Sequence, residues 1–146
     1  MRPVGDVDDA RNGFDPTAML TDWDAGTVST LPDGRRLRTF EVTAEDKEIE
    51  IAPGVMFPAW TFNGRVPGPA LRATEGEQLR IVFRNNGSHP HSMHFHAFRY
   101  APGSDGAYIP FVSGPGGEVG YGKSFTYRLL ALPDSYGVWP YHDHST

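Results

Sequence analysis

The distribution of histidine in this 146-residue sequence points to metal coordination. The histidines fall in two stretches, with His89, His91, His94 and His96 in the first and His142 and His144 in the second. Each stretch contains a His-x-His pair, and residues two apart on a β-strand share a face, so each pair presents its imidazoles together. Neutral imidazole binds copper, zinc, nickel and iron well. The sequence therefore predicts a metal site formed by His94, His96, His142 and His144.

The predicted site requires that the two strands be neighbours, so that all four rings converge. On the opposite faces of these strands, Met93, Phe95 and Tyr141 are expected to bury against the core, which leaves the histidine pairs facing outward or across an interface. A single His-x-His pair on a strand commonly does no more than make the surface polar, whereas two pairs beside aromatic residues favour a metal site. His89 and His91, on either side of a proline, are predicted to be structural or solvent-exposed.

Short strands separated by turns are predicted along most of the chain, because 17 Gly and 13 Pro are spread throughout it. The clearest strand covers residues 78–85, where Leu79, Ile81 and Phe83 share one face. Further strands are predicted at residues 37–42, 48–51, 92–98, 125–129 and 136–144, with a turn between the first two. This pattern is typical of an all-β fold, and we expect a Greek-key β-sandwich or barrel.

The sequence divides into two parts by composition. Residues 1–34 are polar and interrupted by Pro and Gly, which predicts an N-terminal arm laid over the domain, with disorder as the alternative. One helical turn is predicted from Asp15 to Leu20, capped by Asp15. Residues 35–146 are predicted to form a single domain, which either lacks its last strand or continues in a longer protein.

Composition excludes several classes of function. The absence of cysteine excludes disulfides, thiolate zinc sites, iron–sulfur clusters and a blue-copper site made from these residues alone. The net charge of −5 and the lack of a Lys/Arg cluster argue against a nucleic-acid partner. No apolar stretch approaches the roughly 20 residues of a membrane helix, so no membrane association is expected. Residues 1–10 show no signal peptide.

Four motifs resemble those of the multicopper oxidases, of the cupredoxin superfamily. Residues 60–69 (Trp-Thr-Phe-Asn-Gly-Arg-Val-Pro-Gly-Pro) are similar to the family's first-domain signature. Residues 94–97 resemble its His-aromatic-His-Gly motif with alanine in place of glycine, and residues 139–144 resemble its Trp-Tyr-His-x-His motif with an inserted proline. Asp105-Gly106 resembles an acidic motif of many members. The resemblance covers residues 40–146, and it implies a cupredoxin-like fold.

The resemblance also implies copper and a role for each site residue. His94 resembles a ligand of the type 2 copper, while His96, His142 and His144 resemble ligands of the paired type 3 coppers. Asp105 resembles the outer-sphere acid that supplies protons to bound oxygen, and the alternative is that it only forms a turn before glycine. A laccase-like oxidase of this kind reduces O2 to water at a trinuclear copper cluster.

Two departures from the family pattern define the expected partners. Family members complete the cluster with histidines from another domain and feed it electrons from a cysteine-bound blue copper, and this sequence contains neither. It also ends two residues after His144. We therefore expect a second cupredoxin domain or a homo-oligomer to complete the cluster, and copper binding without sustained turnover by the chain alone. The resemblance implies an extracytoplasmic, periplasmic or secreted location.

Two other functions are compatible with the same histidines. The first is a non-catalytic copper module for storage or delivery, which needs no cysteine. The second is a cupin-type metalloenzyme, although cupins place a Glu about four residues after the second His, where this sequence has Tyr100. A zinc hydrolase is less compatible, because no helical motif places an acidic base near the pairs.

Overall fold

The computed structural model describes residues 6–145, and these are built almost entirely from β-strands. The helical elements among them are a single turn, α1 (Asp9–Asn12), and a 3-10 helix (Ala18–Leu20). The strands are β1 (Trp23–Asp24), β2 (Thr27–Thr30), β3 (Arg36–Ala52), β4 (Val55–Phe62), β5 (Ala70–Leu71), β6 (Gln78–Asn85), β7 (His94–Phe95), β8 (Arg99–Tyr100), β9 (Ser124–Leu130) and β10 (Tyr141–His142). The all-β prediction is confirmed.

A six-stranded sheet forms the main layer, in the order β2-β3-β6-β9-β8, with β4 paired to the far half of β3. β3 and β6 run parallel, and β9 lies antiparallel on the other side of β6. Phe40, Ile81 and Tyr127 are register neighbours across these three strands, and each is almost fully buried. Leu79 and Phe83 are buried beside Ile81, which confirms the predicted apolar face of β6.

The predicted turn between residues 42 and 48 is wrong, because β3 continues without interruption from Arg36 to Ala52. The charged residues in this stretch pair with β4, Glu45 with Thr61 and Asp46 with Trp60. Their backbone groups are therefore satisfied in an extended conformation, and the polar side chains need no turn. The chain reverses later, at Gly54, whose φ of 74° is in the left-handed region that glycine tolerates.

The two strands that carry the His pairs are much shorter than predicted. The prediction of strands over residues 92–98 and 136–144 holds only for His94–Phe95 and Tyr141–His142. Ala97 has a φ of 66°, which turns the backbone out of the extended region directly after His96. On the other side, Pro140 has no N–H to donate to a ladder, although its carbonyl accepts from His96 N at 3.1 Å.

β7 and β10 form a separate two-stranded sheet that packs on the core of the main sheet. The Phe95 ring lies 6.3 Å from that of Tyr127, and the Tyr141 ring lies 5.8 Å from that of Phe62. Met93 and Phe95 are buried, and Tyr141 is half-buried against the cluster, as predicted. The aromatic side chains therefore fix one face of this small sheet, and the opposite face carries the histidines.

The described part of the predicted arm, residues 6–34, packs on the sheet and contributes β2 to it. The predicted helical turn is present as the 3-10 helix, but the predicted cap is wrong: the helix begins at Ala18 with Thr17 at the N-cap position, and Asp15 lies before it, where its Oδ1 accepts from Thr17 N at 2.7 Å. Asn12 bonds to both backbone groups of Glu50, which covers part of the β3 edge. Residues 1–5 of the arm and residue 146 of the predicted domain lie outside the described residues, and the domain boundary at 34/35 stays a prediction. No helix within residues 6–145 is long and apolar enough to cross a bilayer.

Candidate metal site

The pairing of β7 with β10 brings the two His-x-His pairs together. The strands are antiparallel, with His142 opposite His94 and Tyr141 opposite Phe95. Because side chains alternate along each strand, the two histidines of the paired positions emerge on the face opposite the two aromatic residues. The predicted adjacency of the two histidine segments is therefore confirmed.

The rings converge closely on this face. The centroid of His94 lies 5.1 Å from that of His96 and 5.3 Å from that of His142. One nitrogen atom from each of these three residues falls in a group whose members are all within 4.8 Å of one another. The Nε2 atoms of His96 and His142 lie 3.1 Å apart. The rings of His94 and His96 are half-buried and exposed, respectively, so the group opens onto the surface.

His144 lies at the edge of this group rather than within it. Its ring centroid is 5.3 Å from that of His94 and 5.5 Å from that of His142. The β7–β10 ladder ends at His142, and His144 is held instead by bonds to loops: its N–H donates to Ser92 Oγ at 3.0 Å, and its carbonyl accepts from Tyr108 N at 2.9 Å.

Two of the rings are oriented by backbone carbonyls. His94 Nδ1 lies 2.7 Å from the carbonyl oxygen of Asp105, and His142 Nδ1 lies 2.9 Å from that of Asp143. A carbonyl only accepts, so Nδ1 of each ring is the protonated nitrogen and Nε2 carries the lone pair. Such a bond fixes both the tautomer and the orientation of a ligand histidine. Nε2 of His94 and His142 is therefore ready to bind a metal ion.

The loop that carries Asp105 passes very close to β7. A Cβ atom added to Gly106 would lie 1.9 Å from the carbonyl oxygen of Met93, and Gly106 has a φ of 75°. Only glycine allows this approach, which places the Asp105 carboxylate Oδ1 3.4 Å from His94 Nδ1. Asp105 thus lies beside a predicted ligand and also precedes a tight turn, so the geometry accommodates both predicted roles.

The donor set fits a metal ion. Two nitrogens that each bind one ion at about 2.0–2.1 Å lie about 2.8–3.4 Å apart for bond angles from 90° to tetrahedral. The 3.1 Å between the Nε2 atoms of His96 and His142 falls in this interval. An all-imidazole set suits copper, zinc, nickel or iron, so geometry alone does not choose among them.

A comparison with protein families supplies the missing distinction. A family model described as "Multicopper oxidase" matches residues 43–146, which include both His pairs and Asp105. The chain belongs to the multicopper oxidase family. This membership implies copper as the metal, and it favours the oxidase interpretation over the cupin and zinc-hydrolase alternatives.

Several known proteins resemble this multicopper oxidase chain. A solved multicopper oxidase crystal structure has a TM-score of 0.84 and 47% sequence identity, over 95% of this chain and 46% of that one. Laccase-2 of Botryotinia fuckeliana is 31% identical over 122 residues, which are 83% of this chain and 20% of that protein. Copper-containing nitrite reductase of Neisseria meningitidis (serogroup A) is 33% identical over 99 residues, 66% of this chain and 23% of that protein.

These likenesses establish the fold and also show how much of each relative the chain represents. The predicted cupredoxin-like β-sandwich is confirmed by the all-β structure and its multicopper oxidase neighbours. The chain spans less than a quarter of the curated relatives and about half of the solved structure.

One residue of this multicopper oxidase chain was not singled out from the sequence as part of the site. Asp143 stands between His142 and His144, and its side chain points away from them into a polar cluster. Burial alone would raise the pKa of Asp143, but hydrogen bonds from His91, Ser145 and Ser92 outweigh burial and lower it below the usual range. The only signal in the sequence was the position of an acid between two predicted ligands.

The two remaining histidines have different environments. His91 is buried, and its Nδ1 lies 2.5 Å from Asp143 Oδ2, so of the two predicted alternatives, structural or solvent-exposed, solvent exposure does not hold for it. His89 is exposed, and its ring lies 4.8 Å from that of Trp60, with Nδ1 2.8 Å from Ser88 Oγ. Neither belongs to the group of converging nitrogen atoms found within residues 6–145.

Proposed function

We propose that this domain supplies half of the histidine ligands of a trinuclear copper cluster at which O2 is reduced to water. In this proposal His94 binds the type 2 copper, and His96, His142 and His144 bind the type 3 pair. The observation that carries it is the 3.1 Å distance between the Nε2 atoms of His96 and His142, two residues that are 46 positions apart in sequence. Family membership supports copper as the metal.

The protein's own contribution is preorganisation of the donors. The Asp105 carbonyl orients His94, and the Asp143 carbonyl orients His142, so both lone pairs face outward before any ion arrives. The aromatic face formed by Phe95 and Tyr141 anchors the small sheet on the core. When bound, copper ions supply the electron transfers that convert O2, four electrons and four protons into two water molecules.

Proton supply is the role proposed for Asp105. Its carboxylate is about half exposed and lies 3.4 Å from His94 Nδ1, at the margin of the site. The main-chain bond of the same residue already orients His94, which leaves the carboxylate free to take a proton from solvent and hold it at the margin of the site.

The open face of the histidine group supports a partner that completes the cluster. His96 and His144 are exposed, and the solved multicopper oxidase aligned with 95% of this chain is about twice its length. We propose that a second cupredoxin domain, or another copy of the chain in a homo-oligomer, supplies the remaining ligands. With no cysteine in the 146 residues, the blue copper that passes on substrate electrons belongs to that partner. An extracytoplasmic location accompanies this proposal.

Copper content and spectroscopy test the ligand assignment. We expect the purified chain to bind copper(II), His142→Ala to lose most of this binding, and the matched variant His89→Ala to retain it. A near-ultraviolet band from a coupled copper pair is expected only in assemblies that complete the cluster. Loss of copper from both variants, or from neither, would contradict the assignment.

Oxygen consumption distinguishes an oxidase from a copper storage or delivery module. The copper-loaded chain is combined with a cysteine-containing cupredoxin domain and given a phenolic reductant in an oxygen electrode. We expect O2 uptake by the combination and none by either part alone. A chain that binds copper through the same histidines, but consumes no O2 in the presence of that partner, is a storage or delivery module.

A further inference from the structure

The segment that carries His142 and His144 has little regular structure to hold it. Its ladder with β7 consists of two residue pairs and stops at His142. Beyond that point the backbone needs other contacts to keep His144 at a defined distance from His94. Those contacts come from the Asp143 side chain, from the Ser92 hydroxyl and from Tyr108 N, which donates to the His144 carbonyl. The Asp143 side chain points to the opposite side from the two flanking ligands.

Asp143 is the centre of a small network of hydrogen bonds. Its Oδ1 accepts from the N–H groups of Ser92 and Ser145, each at 3.0 Å, and its Oδ2 lies 2.5 Å from His91 Nδ1. His91 and Ser92 lie three and two residues before His94, at the start of the segment that carries His94 and His96. The network thus ties one ligand-bearing segment to the other across 51 and 52 residues of sequence.

The serines add a second set of ties between the same segments. Ser92 Oγ accepts from His144 N at 3.0 Å, and Ser145 Oγ donates to the carbonyl of Pro90 at 2.9 Å. Both serines are buried, with 0% and 1% of their surfaces exposed, so water does not replace these bonds freely. Each bond joins the residues before His94 to the residues around His144.

Burial of the His91 ring has a free-energy cost, and packing of the ring alone does not explain why histidine occupies this position. The ring is 2% exposed, and its Nε2 atom has no hydrogen-bond partner within residues 6–145. The ring edge faces Trp60, with centroids 5.3 Å apart, and a Cβ added to Gly87 would lie 3.0 Å from Nε2. An apolar side chain of similar size would avoid a bare buried nitrogen, so the bond from Nδ1 to Asp143 is the feature that requires histidine here.

We propose that the His91–Asp143 pair is a positioning device for the metal site. It fixes the segment of His142 and His144 against the segment of His94 and His96, and so sets copper affinity and ligand geometry. This inference rests on the proposed function, because it assumes that these four histidines hold copper. Neither His91 nor Asp143 touches the metal in this scheme, and both act through the backbone between the ligands.

The test compares three variants of the full chain. His91→Leu removes the bond to Asp143, His91→Asn retains a side-chain N–H at the place of Nδ1, and His89→Leu makes the same change at the neighbouring exposed histidine. Copper(II) affinity is measured by competition with a chelator, the copper environment by electron paramagnetic resonance, and the metal-free fold by thermal unfolding. Asp143→Asn is a fourth variant for the case that His91→Leu does not fold, because it keeps an oxygen that accepts from Ser92 N and Ser145 N but replaces the oxygen that faces His91 Nδ1 with an amide N–H group.

We expect His91→Leu to bind copper about 10–100-fold more weakly, with an altered resonance spectrum, as is typical of lost outer-shell partners. His91→Asn and His89→Leu should stay near the wild-type affinity and spectrum, and Asp143→Asn should weaken binding in the same direction as His91→Leu. Wild-type affinity in His91→Leu, or in Asp143→Asn if His91→Leu is unfolded, overturns the inference. The inference is also overturned if His91→Leu and His91→Asn lose copper affinity equally, in proportion to their loss of thermal stability. Absence of copper binding by the wild type would instead refute the proposed function itself.

Discussion

The backbone carbonyl of Asp105 lies 2.7 Å from His94 Nδ1, while the carboxylate of the same residue lies 3.4 Å from that atom. One residue therefore contributes to the site in two separable ways. The main chain orients the imidazole, and it does so whatever the side chain. The carboxylate is not needed to orient the ring. A substitution of the Asp105 side chain therefore tests its chemical role alone.

We expect Asp105→Asn to leave copper affinity unchanged and to lower the rate of O2 consumption by about 10²-fold or more, the usual contribution of a general acid. The amide has nearly the same shape as the carboxylate but delivers no proton. The rate is measured with an oxygen electrode on the chain combined with its completing domain, and affinity by chelator competition. Asp134→Asn, at an exposed turn, is the control. An unchanged rate in Asp105→Asn would show that the residue serves only the turn.

Gly106→Ala should disrupt the loop beside β7. The added methyl group meets the Met93 carbonyl at 1.9 Å, so the loop must move and take the Asp105 carbonyl away from His94. Gly103→Ala is a matched control, because its φ of 77° imposes the same backbone strain while nothing lies within 4 Å of the new methyl group. We expect Gly103→Ala to cost about 1 kcal/mol and Gly106→Ala about 3 kcal/mol or more in denaturant unfolding. Equal losses would mean that the close approach is unimportant.

The buried ion pair of Arg38 and Glu77 should make the free energy of unfolding depend on pH in the acidic range. Glu77 is 2% exposed and bonds to Arg38 at 2.6 and 2.8 Å. The Arg38 hydrogen bonds hold the pKa of Glu77 below its ordinary value, against the opposing effect of burial. Because the folded pKa lies below the unfolded one, the stabilisation is present above about pH 4.3 and is lost as the pH falls through the folded pKa.

Glu77→Gln leaves Arg38 buried without its counter-charge, so we expect a loss of about 3–5 kcal/mol at pH 7 and a weaker dependence of stability on acid. Thermal unfolding from pH 7 to pH 3 gives both quantities. Asp33→Asn, which removes an exposed partner of Arg35, should behave like the wild type throughout. A Glu77→Gln chain as stable as the wild type at pH 7 would show that the pair is dispensable.

The local sequence pattern was sufficient to predict the structure where a strand buries only one face. The alternation of Leu79, Ile81 and Phe83 predicted β6 correctly, and the spacing of the histidines predicted their common face. The same rule failed at the ends of β7 and β10, because the left-handed φ of Ala97 and the missing N–H of Pro140 stop the ladder. Proline was readable in the sequence, whereas the conformation of Ala97 was not.

Contacts between residues far apart in sequence could not be predicted from local sequence patterns. The bond between His91 and Asp143 joins positions 52 apart, and no periodicity connects them. The uninterrupted course of β3 likewise depends on β4, since the charged stretch around Glu45 and Asp46 is extended only because a partner strand satisfies its backbone. The sequence thus identified the donor residues. Contacts between distant segments determine how those residues are held in place.

Copper-edge anomalous diffraction from crystals of the copper-loaded chain measures the position of the metal directly. We expect an anomalous peak within about 2.0–2.1 Å of Nε2 of both His96 and His142, with His94 and His144 turned toward the same cluster. A peak beside His89 or His91, or full occupancy at a surface site that involves none of the paired histidines, would contradict this expectation.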